Sequence, residues 1–71
     1  MKDAAYAVIF ERSKTGYGAY VPDLPGCIAT GTTLSITRNR MRKAIIAHLQ
    51  AMREDGENIP EASRVEVLEV A

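Results

Sequence analysis

Cysteine and aromatic residues are nearly absent from this 71-residue chain, which has one Cys, one Phe, three Tyr and no Trp. A lone cysteine excludes an intramolecular disulfide and with it the small secreted scaffolds that depend on such bridges. No His or second Cys stands beside Cys27 at metal-ligand spacing, so a zinc site is not expected. Long hydrophobic runs are missing too. Nothing approaches the roughly 20 apolar residues that cross a bilayer, and Met1, Lys2 and Asp3 lead into a short strand-like run rather than a secretion signal. These absences point to a cytoplasmic protein with no membrane association. Charge of either sign is not in excess: nine basic residues balance nine acidic ones, for a formal net charge of zero. Bulk attraction to nucleic acid is therefore lacking. A chain of this length forms one domain, taken as residues 1–71, that buries only about 60% of its unfolded surface. Oligomerisation, as a dimer or tetramer, is the expected supplement.

Glycine and proline are scarce outside one stretch. Residues 16–34, GYGAYVPDLPGCIATGTTL, hold four of the five glycines and two of the three prolines. The run from Gly18 to Val21 is short and β-favouring, and Pro22 ends it because proline has no N–H to give to a ladder. Pro25 followed by Gly26 suits a type II turn, proline presetting φ at the second position and glycine accepting a positive φ at the third. Cys27, Ile28, Ala29 and Thr30 resume a strand. Gly31, Thr32 and Thr33 end it in residues suited to capping a helix.

Periodicity supplies the other elements. Residues 5–11 carry Tyr6, Val8 and Phe10 on one side and Ala5, Ala7 and Ile9 on the other, the pattern of a central strand buried on both faces. Residues 12–16, RSKTG, read as a hairpin loop. Leu34, Thr37, Met41, Ala44, Ile45, His48, Leu49 and Met52 recur at spacings of three and four, which predicts a helix over residues 35–54. Asp55 and Gly56 stop it, and Pro60 prevents its resumption. Residues 64–70, RVEVLEV, give a last strand. The fold class is α+β with order β-β-β-α-β: an antiparallel three-stranded meander, a C-terminal strand and one helix packed on one sheet face.

Together the YAVIFERSKTGYGAYVPDLPGCIATGTTL segment and a helix ending HLQAMREDGENIP resemble the HicB-like antitoxin family over nearly the whole chain. The resemblance implies a partial ribonuclease H-like fold. It also implies a role in toxin–antitoxin systems, where a HicB-like subunit binds and inactivates HicA, a small mRNA-cleaving ribonuclease with a double-stranded-RNA-binding-domain fold. Many family members continue into a DNA-binding domain; this chain stops at Ala71, so autonomous operator binding is not expected. The family's helix ordinarily opens with acids, whereas here Ile36 stands at the third helical position if Thr33 is the cap, with Ser35 as the alternative cap.

Arg38, Arg40, Arg42 and Lys43 crowd the start of that helix. Arg38 and Arg42, four apart, repel by a few tenths of a kcal/mol. The first reading is a solvated face whose charges pair with acids elsewhere, and the second is contact with phosphates or an acidic partner. Direct nucleic-acid binding is not expected, because the helix has no aromatic residue on which a base would stack.

Metal-dependent ribonuclease chemistry needs carboxylates converging on two ions. Residues 6–9 offer none, Asp3, Glu11 and Asp23 fall at strand ends, and Glu66 and Glu69, an odd number of residues apart, belong to opposite faces of a strand. No catalytic residue, metal or cofactor is assigned. His48 reads as a packed residue at the core edge and Cys27 as a buried small residue. The partner-binding candidates are Tyr17, Tyr20, Asp23, Leu24 and Pro25: a Leu held exposed between two prolines costs little entropy to bury, with Leu24 packed back on the hairpin or across a self-dimer as the equal alternative, and Tyr20 is expected on the sheet face opposite the helix. Two functions fit. One is a non-enzymatic antitoxin that binds a HicA-like toxin; the other is a stand-alone homo-oligomeric scaffold or small-ligand-binding protein.

Overall fold

A computed structural model describes residues 5–65 and residue 68. Three strands, β1 (Ile9–Arg12), β2 (Tyr17–Tyr20) and β3 (Ile28–Gly31), precede one helix, α1 (Leu34–Glu54). The strands form an antiparallel meander in the order β1-β2-β3. The helix packs across β3 and β2. The α+β class and the single-helix layer are as the sequence predicts. Of the expected last strand, Arg64, Val65 and Leu68 are not in strand conformation, and the other residues past 65 lie outside those described.

The first strand departs from expectation in length and place. It begins at Ile9 rather than residue 5, and among the described residues it is an edge strand, with β2 in the centre. The register explains this. Ile9 pairs with Tyr20, and beyond Tyr20 the backbone of β2 turns away: the Val21 N–H donates to the Cys27 carbonyl, and Pro22 has no N–H. Residues 5–8 therefore have no ladder partner in β2.

Two β-turns in succession link β2 to β3. The Leu24 N–H donates to the Val21 carbonyl at 3.0 Å, and the Cys27 N–H donates to the Leu24 carbonyl at 3.0 Å. Pro22 and Pro25 thus each occupy the second position of a turn, where a fixed φ helps, and Gly26 takes φ +84° in the type II geometry that its pairing with Pro25 implies. The result is to tuck Leu24 inward. It is 1% exposed and clusters with Ala19, Val21, Cys27 and Met41 as the core.

Helix α1 begins as its sequence dictates. Thr33 is the N-cap, its hydroxyl oxygen accepting from the Ile36 N–H at 3.1 Å, so the Thr33 alternative holds and Ser35 does not cap. The fully buried Thr37 hydroxyl donates to the Thr33 carbonyl at 2.8 Å, which removes the cost of burying it. Gly31 lets this helix start sit directly on the end of β3: a Cβ there would lie 2.7 Å from Thr37 Oγ1 and 3.0 Å from the Thr37 nitrogen. The helix closes in a Schellman motif, with the Glu57 N–H donating to the Met52 carbonyl and the Gly56 N–H to that of Arg53. Thr37 and Met41 are its buried residues, flanked by the half-buried Ala44, Ile45, His48, Leu49 and Met52.

Leu24→Ala is expected to cost about 3 kcal/mol of stability, as buried Leu truncations do, whereas Thr33→Ala costs about 1 kcal/mol. Urea unfolding monitored by circular dichroism measures both; an inverted order would place the stabilising weight on the helix cap rather than on the turn.

Candidate partner-binding face

Residues opposed across an antiparallel ladder share a face, and here the register sorts the strands into two sets. Phe10, Ala19 and Ala29 align across the sheet and lie towards the helix, Ala19 fully buried. Ile9, Tyr20 and Ile28 align on the opposite face and are 41%, 38% and 67% exposed. One row along, Glu11, Gly18 and Thr30 align on the same open face. A shallow hollow lies over these two rows. Its apolar row invites association, because cross-strand neighbours present one contiguous patch.

The five partner-binding candidates from the sequence are not brought together. Tyr20 lies on the open face as expected. Tyr17, three residues away in the same strand, points to the other face and is half-buried. Of the two readings of Leu24, packing back on the hairpin is the one found, and the exposed anchor is not: the paired turns that restrict Leu24 also drive it into the core, where burying a Leu side chain contributes about 2 kcal/mol. Pro25 is exposed at the turn. Asp23 is half-buried and is spent on an internal tie, its carboxylate accepting from the Ser63 N–H at 2.8 Å and from the Ser63 hydroxyl. A second tie, from the Tyr6 hydroxyl to the Pro60 carbonyl, holds the same post-helical segment to the N-terminal side. Ile9, Gly18 and Ile28 escaped sequence reasoning. Their shared face depends on which residue opposes which, and only the parity of Ile28 with Thr30 was visible locally.

The basic cluster is divided: Arg38 and Arg42 lie on the helix side of the sheet, while Arg40 reaches the rim of the hollow on its open face. Arg38 stacks over the Phe10 ring at 5.8 Å, a cation–π distance, and the Arg40 Nη1–H donates to the Thr30 carbonyl at 3.0 Å. Arg40 thereby closes the outer edge of β3. Neither contact is with a carboxylate, so among the described residues the expected pairing with acids elsewhere is not found for these two side chains. Arg38 and Arg42, with Arg53, rim an apolar groove between the helix and residues 5–10.

No chemistry-bearing cluster gathers around the remaining candidates. Cys27 is 3% exposed, and burial pushes its thiol above the ordinary cysteine range. His48 is half-buried on the helix, between Ile45 and Met52 on the apolar stripe. Among the described residues no three of His, Cys, Asp and Glu converge to hold a metal ion, and no helix is long and apolar enough to cross a membrane.

Two outcomes follow from these environments. Hydrogen bonds from Ser63 hold the Asp23 carboxyl below its ordinary value. Its contribution is therefore fully present above the unfolded carboxyl value of about 4 and is lost as the pH falls through the lower folded value. The amide-exchange protection factor of Ser63 is expected to fall on acidification below pH 4 and, at neutral pH, in Asp23→Ala; unchanged protection in both contradicts the tie. For Cys27, iodoacetamide alkylation at neutral pH is expected to run about tenfold or more slower in native protein than in urea, and equal rates contradict its burial.

Comparison with known proteins places this geometry. The family model described as HicB-like antitoxin of bacterial toxin–antitoxin system matches residues 6–71. An uncharacterised 14.9 kDa protein in the rep-hol intergenic region of Haemophilus phage HP1 is 38% identical over 61 residues, covering 86% of this chain and 46% of its own length. The chain thus spans less than half of that relative. The UPF0150 protein Ta0767 of Thermoplasma acidophilum is 32% identical over 63 residues, covering 87% of this chain and 91% of the relative. In structure, a chain of a HicA3 and HicB3 toxin–antitoxin complex superposes with a TM-score of 0.73 at 23% identity, over 84% of this chain and 70% of that one, a likeness of fold. Sequence motif, family match and meander-plus-helix architecture agree, and the chain belongs to the HicB-like antitoxin family.

Proposed function

We propose that this chain is a non-enzymatic antitoxin subunit that binds and inhibits a small HicA-like, mRNA-cleaving ribonuclease. The observation that carries the reading is the fold likeness to a chain of a complex that joins HicA3 to HicB3, in a chain whose family is that of the antitoxins. An inhibitor of this kind needs shape and an adherent surface rather than catalytic groups. The open sheet face with Ile9, Tyr20 and Ile28 supplies such a surface, and Pro25, exposed at the turn, is a second candidate contact. Association through that face covers apolar area that the single chain leaves to water. Tyr17, on the other face, contacts a partner only if the interface wraps the sheet edge.

The same reading makes the protein cytoplasmic, where a ribonuclease toxin meets mRNA, and a dimer or tetramer in its free form. It needs no metal or cofactor. Arg38 and Arg42 lie on the helix side, away from the proposed toxin surface, whereas Arg40 reaches the rim of the hollow on the open face; the cluster of Arg38, Arg40, Arg42 and Lys43 is assigned no direct nucleic-acid contact.

Affinity purification of the full chain from its native host, with mass spectrometry of what accompanies it, tests this directly. The expected companion is a small basic ribonuclease whose cleavage of labelled RNA stops when the chain is added in equimolar amount. Recovery of the chain as a homo-oligomer alone, together with undiminished RNA cleavage when a HicA-like protein from the same genome is mixed with it, contradicts the antitoxin reading and favours the stand-alone scaffold.

A further inference from the structure

Among the described residues β3 is an outer strand of the sheet, and the hydrogen bonds fix which of its backbone groups face outward. The Val21 N–H donates to the Cys27 carbonyl, so Cys27 turns its backbone towards β2. Orientation alternates along an antiparallel strand, so Ala29 and Gly31 do the same, while Ile28 and Thr30 point their N–H and carbonyl groups away from the sheet. The Arg40 contact agrees, since its guanidinium reaches the Thr30 carbonyl at 3.0 Å from a residue of the helix and not of β2. Such an edge is complementary to itself. About a two-fold axis at Ala29, an antiparallel β3 from a second copy sets Ile28 opposite Thr30 and Thr30 opposite Ile28, and every outward N–H meets an outward carbonyl.

We propose that Arg40 guards this edge: by holding the Thr30 carbonyl it prevents a second copy of the chain from adding its own β3, and so keeps self-association off this side of the sheet. The residue is placed for that task. Arg40 belongs to α1, which packs across β3, and it reaches the rim of the hollow on the open face. Its side chain thus passes the edge along which an added strand runs. Pairing there has to strip the guanidinium from its carbonyl, and the two-fold axis then gathers both Arg40 side chains at one seam, like charge against like. The helix does not need this bond to find its place, because Thr37 and Met41 are the residues it buries, Thr33 caps it, and Arg40 itself is exposed. A charged residue that serves the edge rather than the core is a device against unwanted strand addition. The guard serves an antitoxin and a stand-alone scaffold alike, so its failure leaves the antitoxin reading standing, and the free chain assembles through other surfaces.

Size-exclusion chromatography with light scattering on the full chain, together with amide hydrogen exchange, tests the guard. Arg40→Met keeps the aliphatic stem and removes the donors. Its mass is expected to be about twice that of the parent at the same concentration, with exchange at Ile28 and Thr30 slowed about tenfold or more. Thr30→Pro removes an outward N–H, which an edge strand tolerates; it is expected to leave the parent's mass unchanged and to return Arg40→Met to that mass. Arg42→Met, on the same helix, keeps the mass and exchange of the parent. Parent-like mass and exchange in Arg40→Met overturn the guard, and so does a doubled mass without slowed exchange at these two amides. A lower mass for Thr30→Pro alone also overturns it, because the parent then already uses this edge. If Arg40→Met aggregates, the double variant decides: relief by Thr30→Pro supports pairing at the edge, and aggregation that persists overturns it.

Discussion

The burial of Leu24 beneath two successive β-turns is the constraint on which the rest of this small structure depends. A stretch of 71 residues has little core to spare, and the fully buried hydrophobic residues here are Ala19, Val21, Leu24, Cys27 and Met41 among those described. Four of the five belong to β2 or to the turn segment that follows it. Leu24 brings the largest side chain of those four, and it reaches the core because Pro22 and Pro25 set the two turns on either side of it. With the turn closed, β3 is delivered antiparallel to β2, Gly31 meets the helix start, and Met41 descends onto Ala19, Val21 and Cys27. The Asp23–Ser63 tie then fastens the post-helical segment to the same turn.

This arrangement also separates the two sides of the sheet. The helix covers one side and brings Arg38 and Arg42 there, while Arg40 reaches the rim of the other. With no acid in its first turn, the helix start relies on the Thr33 hydroxyl and the Thr37–Thr33 bond, and Arg38 is held by stacking on Phe10 rather than by a counter-charge. The other side keeps Ile9, Tyr20 and Ile28 in contact with water. In a monomeric soluble protein such an aligned apolar row is a standing invitation to a partner, and an antitoxin family is one in which a partner is expected.

Features governed by neighbouring residues were legible in the sequence. The Pro25–Gly26 turn, the Thr33 cap, the stop at Asp55 and Gly56 and the apolar stripe of α1 are each set within four residues, where local sterics and hydrogen bonding decide. The family motif was legible for the same reason, being a continuous run. What failed to show depends on register. Residues 5–8 look like strand, yet β2 ends at Tyr20 and offers them no partner. Between its prolines Leu24 could point outward or pack back on the hairpin, and the two turns rotate it inward. Tyr17 and Tyr20 look like one patch, but three residues of strand place them on opposite faces.

In the proposed antitoxin, recognition belongs to the open face and structure to the turn. Chemical-shift mapping of the full chain during titration with the HicA-like ribonuclease is the most direct measurement of that division. Perturbations centred on Ile9, Glu11, Gly18, Tyr20 and Ile28, with Arg42, Ile46 and Leu49 unmoved, are the predicted result. Perturbations confined to the helix flank, with the sheet face unchanged, would contradict it.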